Sequence, residues 1–348
     1  MTNQTPPPAV VEAYDIDPAS IEALGGGLIN LSFGVVRRDG SRCVLQRLNR
    51  IFPPEVDDDL DAVTRHLSGK GLATPRLIRT GSDDRHVSVD GAIWRLLTRI
   101  EGETHETVGA EAQAAEAGRV LGEFHLALAD FDQLLCSTRP RVHDIGRHLQ
   151  ALRRALDEHA AHPAHRDVVG LAATIFDLAG RLEPLPAGPE RLVHGDPKIS
   201  NVVFRNGRGI CLVDLDTIAR MPVAFEIGDA LRSWCNPAGE DSPEAALSIE
   251  RFRLALEGYQ AGAPGLLGPG EWRAIPNATV AIAIELAARF AADALNETYF
   301  SWDRERFATA SAHNRARAAA QLALAESARR AMPSLSTLVA TDPEAGPA

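Results

Sequence analysis

Residues 192–204 read LVHGDPKISNVVF, and the chain runs on through RNGRGI into CLVDLDT at 211–217. The apolar pair Leu192 and Val193 predicts a short strand that stops where His194-Gly195-Asp196-Pro197 turns polar. The second apolar run, Val202 to Phe204, predicts a hairpin that reverses at Asn206-Gly207, because Asn-Gly accepts the left-handed backbone of a tight hairpin turn. Three groups able to hold a metal or move a proton, Asp196, Asn201 and Asp214, thus lie around one loop and one hairpin, with His194 and Lys198 between them.

Outward from this point the two halves of the chain differ in character. Up to about Ile100 the sequence alternates short β-like runs (LINLSFGVVR, CVLQRLN, HVSVDGAIWRLLT) with turn signals such as RRDGS and SDDRH. PPEVDDDLDAVTRHLSGKG predicts one helix among them, with prolines and acids at its start, Leu60, Val63 and Leu67 at helical spacing, and glycines at its end. From about Glu101 apolar residues recur at three- and four-residue spacing, as in EAQAAEAGRVLGEFHLALADF and DIGRHLQALRRALDEHAA. Further helices are expected over about 243–261, 271–296 and 304–332. The expected fold class is α+β in two lobes: residues 1–100 a small antiparallel sheet with one long helix, residues 101–348 a larger, mainly helical lobe. Residues 1–12, which contain Pro6 to Pro8, and the polar tail 336–348 are expected to be flexible.

A chain of 348 residues can bury a large core and exceeds the length at which one core usually divides. Its 36 Lys+Arg against 47 Asp+Glu, a net charge of -11, argue against a nucleic-acid or anionic-membrane surface. Cys43, Cys136, Cys211 and Cys235 lie far apart without a C-x-x-C pair, which fits reduced thiols in a cytosol better than a disulfide framework or a zinc site. The start MTNQTPPPAVV lacks the basic and apolar regions of a signal peptide, and Glu285, Arg289 and Asp293 interrupt the longest apolar run, which reads as a buried helix and not a membrane span. A cytoplasmic protein whose partner is a small molecule is expected.

The spacing H-x-D-x-x-x-x-N in HGDPKISN is that of a catalytic loop for phosphoryl transfer, in which Asp196 aligns an acceptor hydroxyl and takes its proton while Asn201 offers an oxygen to Mg²⁺. Asp214, across the hairpin, stands where a second metal-binding carboxylate is needed. Transfer of a γ-phosphoryl group asks for hard oxygen ligands and a fixed hydroxyl more than for a strong nucleophile. Lys198 can reach the transferring group, and His194 braces the loop. Without Asp214 and its strand, the same motif would read as an Asp-Pro turn before a hairpin.

A catalytic loop of this kind needs a nucleotide cradle, and GGGLINLSFGVV at 25–36 fits, since glycines let backbone N–H groups approach phosphates. Gly26, Gly27, Leu28 and Asn30 are the candidate cradle residues; a plain hairpin turn is the competing reading. In VLQR, Arg47 takes the place where such an enzyme carries a lysine for the α/β-phosphates. Its partner carboxylate would be one of Glu55, Asp57, Asp58, Asp59 and Asp61, among which spacing does not choose. Trp94 and Arg95 read as structural, closing the small sheet, and His125 as a core histidine.

These strings resemble the aminoglycoside phosphotransferase and choline kinase superfamily, and more closely its N-acetylhexosamine 1-kinases. The resemblance rests on HGDPKISN with LVDLDT, GGGLINLSF with VLQRLNRIFP, FHLALADF with RVHDIGRHLQAL, FEIGDALRSWCNP, LAARFAADALNETYF and HNRARAAAQLALAES. It implies a protein-kinase-like fold, ATP with Mg²⁺, and phosphorylation of an N-acetylated hexosamine at its anomeric hydroxyl. It makes Asp196 the base, Asn201 and Asp214 the metal ligands, and the segment Thr98 to Gly102, with Thr98 and Ile100, the adenine hinge. The sequence departs from the sugar kinases at Glu226, where they tend to have Asp, in NETYF, which lacks Gly-Asp before Tyr-Phe, and after His-Asn in HNRARAAAQ. Candidate acceptor contacts are His143, Asp144 and Arg147 in VHDIGR and Asp229 and Arg232 in GDALR, a mixed-charge set suited to a hydroxyl-rich molecule; ion pairs between helices are the competing reading. An aminoglycoside, choline-like or other metabolite acceptor keeps the same chemistry, and a nucleotide-binding pseudokinase would need a lost metal ligand.

Overall fold

The computed structural model describes residues 5–24, 30–137, 143–184 and 188–340. The α+β class expected from the sequence is the class observed: a small antiparallel sheet with one long helix, and a larger, mainly helical part. The chain divides into two compact units, residues 1–101 with 130–138, and 102–129 with 139–348.

The first unit opens with helix α1 (Pro8–Ala13), followed by strands β1 (Glu22–Leu24), β2 (Leu31–Val36) and β3 (Arg42–Arg47), helix α2 (Val56–Gly69), and strands β4 (Leu77–Ile78), β5 (Val87–Val89) and β6 (Ala92–Thr98). The strands form one antiparallel sheet in the order β1-β2-β3-β6-β4, with β5 also on β6. Period-two alternation sends Phe33, Val35, Cys43, Leu45, Trp94 and Leu96 to one face, where they pack on Val10, Tyr14 and Ile16. Of the arm 1–12 expected to be flexible, residues 8–12 are helical: Val10 is wholly buried, and α1 closes over the sheet because that face would otherwise be wet. Residues 1–4 lie outside the described residues.

The second unit begins with α3 (Glu111–Ala127), α4 (Ile145–Glu158) and α5 (His165–Gly180). Strands β7 (Glu190–Val193), β8 (Val202–Arg205), β9 (Arg208–Leu212) and β10 (Ala219–Pro222) follow, then α6 (Val223–Trp234), α7 (Ile249–Gly262), α8 (Pro269–Asn296) and α9 (Ala310–Ala340). α8 is apolar nearly all round and packs against α4, α5, α6 and α9, which makes it the axis of this unit. Gly118 and Gly122 of α3 face Gly258 and Gly262 of α7 across a backbone contact so close that a methyl group at Gly258 would stand 1.9 Å from the Ala115 carbonyl oxygen.

Helix ends differ from the sequence expectation in α7 and α9. α7 starts at Ile249, not near Pro243, because Ser248 caps it by accepting the Arg251 N–H through Oγ. α9 starts at Ala310, where 304 was expected, and runs through Pro333 to Ala340. Leu335 and Val339 bury there, and that burial overrides the local cost of the proline. Of the tail 336–348 expected to be flexible, residues 336–340 belong to this helix, and residues 341–348 lie outside the described residues. Among the described residues no helix is long and apolar enough to cross a membrane.

Candidate active site

β7 pairs antiparallel with β10, Val193 opposite Ala219, and β8 with β9, the latter turning at Asn206 and Gly207 with φ of 54° and 78°. The loop between β7 and β8 is fixed from several sides. His194 Nε2 lies 2.9 Å from the Val213 carbonyl, and its Nδ1 accepts the Asp196 N–H at 3.3 Å, a pattern that needs the tautomer protonated at Nε2. Gly195 has φ of 84°, and any side chain there would meet the Thr217 carbonyl oxygen at 2.1 Å, so only glycine lets the loop cross this close. Trp234 donates its indole N–H to the Pro197 carbonyl at 2.8 Å, and the Ile199 N–H goes to Ser233 Oγ at 3.1 Å, which ties the loop to α6.

Within this frame the predicted loop residues come together. Lys198 Nζ lies 2.7 Å from Asp196 Oδ2, and Asn201 Nδ2 donates to the same oxygen at 3.2 Å and to the Asp196 carbonyl at 2.8 Å. Asn201 also accepts the Val213 N–H through its backbone carbonyl, a bond that brings the strand before Asp214 alongside. Asp214 itself is left-handed, with φ of 64°, a conformation that costs a non-glycine residue about 1 kcal/mol or more.

Electrostatics separates the two acids. Crowding by protein works to raise Asp196, but the Lys198 ammonium, by its charge and its hydrogen bond, outweighs this and holds the carboxyl below the usual range. The Asp196 side chain keeps a quarter of its surface open, so it remains accessible to a ligand. Asp214 is exposed at the surface of its loop yet closely surrounded. That crowding, then the charges of Asp216 and Asp196, push it upward against the pull of Lys198. Two carboxylates competing for one lysine make a place that favours a cation.

The donor set fits Mg²⁺. Asn201 turns its amide nitrogen to Asp196, which leaves its amide oxygen facing away, and Asp214 supplies a carboxylate. Mg²⁺ is usually held by one or two protein oxygens with phosphate and water completing the shell. Among the described residues no cluster of three or more His, Cys, Asp or Glu forms an all-protein cage.

The acceptor candidates divide. Arg232 donates Nε to Asp229 Oδ1 at 2.9 Å and Nη1 to Glu240 Oε1 at 3.2 Å, and it also feels the charge of Asp196. His143 Nδ1 lies 3.0 Å from Glu285 Oε1. Burial works to lower the His143 imidazole, but Glu285, with Asp229 behind it, raises it above its ordinary value. His143, Asp229 and Arg232 therefore share one charged group. Asp144 caps α4 by accepting the Arg147 N–H at 3.0 Å, which explains its presence structurally, and Arg147 has its place through the first turn of that helix. Sequence reasoning did not name Glu240 and took Glu285 only as a break in an apolar run. The available signal for Glu285 was an acid in the middle of an Ala- and Ile-rich helix, where a buried carboxylate requires a partner.

In the first unit, Gly26, Gly27 and Leu28 lie outside the described residues. Asn30 Oδ1 accepts the Asn49 N–H at 2.9 Å, Thr98 Oγ1 accepts the Arg76 N–H at 2.8 Å, and Ile100 follows the end of β6. Arg47 pairs in register with Trp94, on the sheet face of the apolar core. The acids of α2 have separate partners: Asp57 meets Arg95 at 3.0 Å, Asp58 meets Arg85 at 3.0 Å, Asp61 meets Arg79 at 3.2 Å, and Asp59 accepts the Ser137 N–H at 2.9 Å.

A model of the phosphotransferase enzyme family matches residues 20–265. A homoserine kinase of Xanthobacter autotrophicus is 27% identical over 280 residues, 77% of this chain and 79% of that protein. Among solved structures, an aminoglycoside phosphotransferase from Alicyclobacillus acidocaldarius superposes with a TM-score of 0.61 at 17% identity, covering 97% of this chain and 98% of that one. The amicoumacin kinase hAmiN, in complex with AMP-PNP, Ca²⁺ and Ami, gives 0.60 at 14% identity over 89% and 91%. Both structures share the fold.

Proposed function

The chain belongs to the phosphotransferase enzyme family, the aminoglycoside phosphotransferase and choline kinase superfamily, and from that premise we propose a role for each residue of its loop. It is a small-molecule kinase that phosphorylates an alcohol, with ATP as donor and Mg²⁺ as the accompanying metal. The observation that carries the assignment is the Asp196 carboxylate, one oxygen of which is held by Lys198 at 2.7 Å and by Asn201 at 3.2 Å. That leaves Oδ1 to meet the acceptor hydroxyl.

Asp196 aligns the hydroxyl and receives its proton late in transfer, when the oxygen has become acidic; a carboxylate held below its usual range suits alignment better than early deprotonation. Lys198 steadies Asp196 and faces the departing charge of the donor. Asn201 and Asp214 would hold Mg²⁺, which when bound offsets the negative charge of the phosphates.

For the acceptor, the motif resemblance supports an N-acetylated hexosamine phosphorylated at its anomeric hydroxyl. The mixed charges of His143, Asp229 and Arg232 suit a polyhydroxyl molecule. A second reading, an amino-acid alcohol, is favoured by the homoserine kinase relative, since the same cations and acids could meet a carboxylate and an ammonium group. The test is ADP release with N-acetylhexosamines, simple hexoses, homoserine, choline and aminoglycosides as acceptors. Turnover with N-acetylhexosamines supports the first reading, turnover with homoserine alone replaces it with the second, and silence with every alcohol would sink the kinase assignment.

A further inference from the structure

Glu240 lies in the segment between α6 and α7, and each of its carboxylate oxygens faces a different arginine. Oε1 stands 3.2 Å from Arg232 Nη1 and Oε2 3.8 Å from Arg317 Nε. Arg232 belongs to α6 and Arg317 to α9, and the two are only 5% and 7% exposed, whereas the Glu240 side chain keeps 37% of its surface open. An anion thus sits between two dry cations with a way out to water. The place lies beside the catalytic loop: Ser233 and Trp234, next after Arg232 in the chain, hold that loop at the Ile199 N–H and the Pro197 carbonyl. Arg232 and Asp196 feel one another's charge, and Lys198 feels that of Glu240.

Arg317 is the less satisfied of the two cations. Arg232 has Asp229 as a further partner at 2.9 Å. Among the described residues the hydrogen bonds of Arg317 all leave from Nη1, to the Ser301 carbonyl at 2.9 Å and to Asn314 Oδ1 at 3.5 Å, and Glu240 stays beyond hydrogen-bond reach of its Nε. Burial holds the Arg317 guanidinium below its ordinary value against the pull of Glu240, Asp241 and Asp293. A planar fork with donors to spare is the group that takes a carboxylate through parallel hydrogen bonds. The backbone under Glu240 is fixed, since Asn236 Nδ2 donates to the Gly239 carbonyl at 2.6 Å and Gln321 Nε2 to the Glu240 carbonyl at 3.4 Å. The side chain can therefore swing outward while its loop stays in place.

We propose that Arg232 and Arg317 form a seat for a carboxylate of the acceptor, which Glu240 fills until the acceptor arrives: the alcohol phosphorylated here is an acid, and its carboxylate replaces that of Glu240 between the two guanidinium groups while its hydroxyl lies at Asp196. The exchange is of like for like. One carboxylate replacing another leaves the charge of the seat unchanged, whereas an uncharged group in that place would leave two buried cations without a counter-charge. Glu240 thereby selects for acids by excluding what cannot displace it. The inference rests on the reading of Asp196 as the residue that meets the acceptor hydroxyl, and it deepens that reading by naming the acceptor's class; an amino-acid alcohol and a sugar acid both belong to it.

The experiment measures kcat and KM for two acids, homoserine and glucuronate, for their counterparts without the carboxylate, 3-aminopropan-1-ol and glucose, and for N-acetylglucosamine, in wild type, Glu240→Ala and Arg317→Gln. Wild type should favour the acid of at least one pair by about tenfold or more in kcat/KM. Glu240→Ala removes the competing carboxylate and should lower the KM for that acid about tenfold, and Arg317→Gln should raise it by about as much, with the ATP KM within about threefold of wild type in both. An ion pair that only braces the structure predicts otherwise for Glu240→Ala, a KM unchanged or raised. If Arg317→Gln does not fold, Glu240→Ala decides. Turnover of alcohols without a carboxylate while both acids are refused, or a folded Glu240→Ala protein whose KM for the acid is not lowered, overturns the proposal and leaves the kinase assignment standing. A wild type that phosphorylates no alcohol removes both.

Discussion

The carboxylate of Glu226 accepts the backbone N–H of Gly195 at 2.9 Å, and its other oxygen accepts the N–H of His194 at 2.8 Å. One buried side chain of α6 therefore holds the backbone immediately before Asp196, and the glutamate that differs from the sugar-kinase pattern in sequence belongs to the loop's support and not to its acceptor wall. His125 Nε2 stands 3.6 Å from the same carboxylate, an ion-pair distance beyond hydrogen-bond reach, while its Nδ1 lies 2.8 Å from the Tyr259 hydroxyl.

A pH dependence of stability follows. Burial alone would raise the Glu226 carboxyl, but His125 and the Gly195 N–H outweigh it and the folded-state value is lowered. The unfolded chain, with glutamate near about 4.3, then binds the proton more readily than the folded one. The stabilisation is fully present above that value and is lost as pH falls through the lower, folded one. Glu226→Gln, which leaves one buried N–H without a good acceptor, should cost about 1–3 kcal/mol at pH 7. The gap between the urea midpoints of variant and wild type should close on acidification; a gap that is constant with pH would show that the carboxylate charge contributes nothing.

Removal of the proposed base gives a separate test. Asp196→Ala should lower kcat by a factor on the order of 10² to 10⁴ while AMP-PNP binding and the far-UV spectrum stay close to wild type. The side chain is partly open and the loop is held by Glu226, Trp234 and Ser233 rather than by Asp196, so the fold should persist. Undiminished turnover in the variant would exclude Asp196 from the chemistry.

The glycines of α3 and α7 predict an asymmetric pair of stability changes. Gly258→Ala would place a methyl group 1.9 Å from a backbone carbonyl oxygen, and neither helix can yield locally, so destabilisation of about 1–3 kcal/mol or more is expected. Gly170→Ala on the exposed side of α5 meets nothing within 4 Å and should stabilise by about 1 kcal/mol, since alanine loses less freedom in a helix. Thermal unfolding of the two variants should shift in opposite directions.

Sequence revealed what is encoded locally. The turn at Asn206-Gly207, the loop with Asp196 and Asn201, and Asp214 across the hairpin are all close along the chain, and their residue types constrain the backbone directly. What depends on distant partners was hidden. The prolines before Val10 suggested a loose arm because the sheet face that buries Val10 is built from other segments. The last helix was expected to stop at 332 because the burial of Leu335 and Val339 is invisible locally. Arg47 drew attention by its place in line, whereas strand alternation and the register with β6 hand the α2 carboxylate to Arg95. Glu285 was noted only as a break in an apolar run; its importance appears when α8 brings it to His143.

That last pair gives a prediction specific to the acceptor. The Glu285 hydrogen bond and charge, with Asp229 behind, raise the His143 imidazole against the opposing effects of burial and Arg289, so the charged form persists to a higher pH than in an ordinary histidine. A raised value stabilises the folded protein fully below the unfolded value of about 6.5, and the contribution is lost as pH rises through the folded one. His143 Nε2 is buried without a hydrogen-bond partner among the described residues, and the charged ring makes it a donor suited to a hydroxyl or carboxylate oxygen of the acceptor. His143→Ala should therefore raise the acceptor KM about tenfold with the ATP KM unchanged. In Glu285→Gln the charge that opposes burial is gone, so the imidazole titration, followed by NMR on the ring Cε1–H, should move to lower pH, and acceptor affinity should decline from a correspondingly lower pH. A titration that stays in place would show that Glu285 does not control His143, and an acceptor KM indifferent to both substitutions would remove this group from the acceptor site.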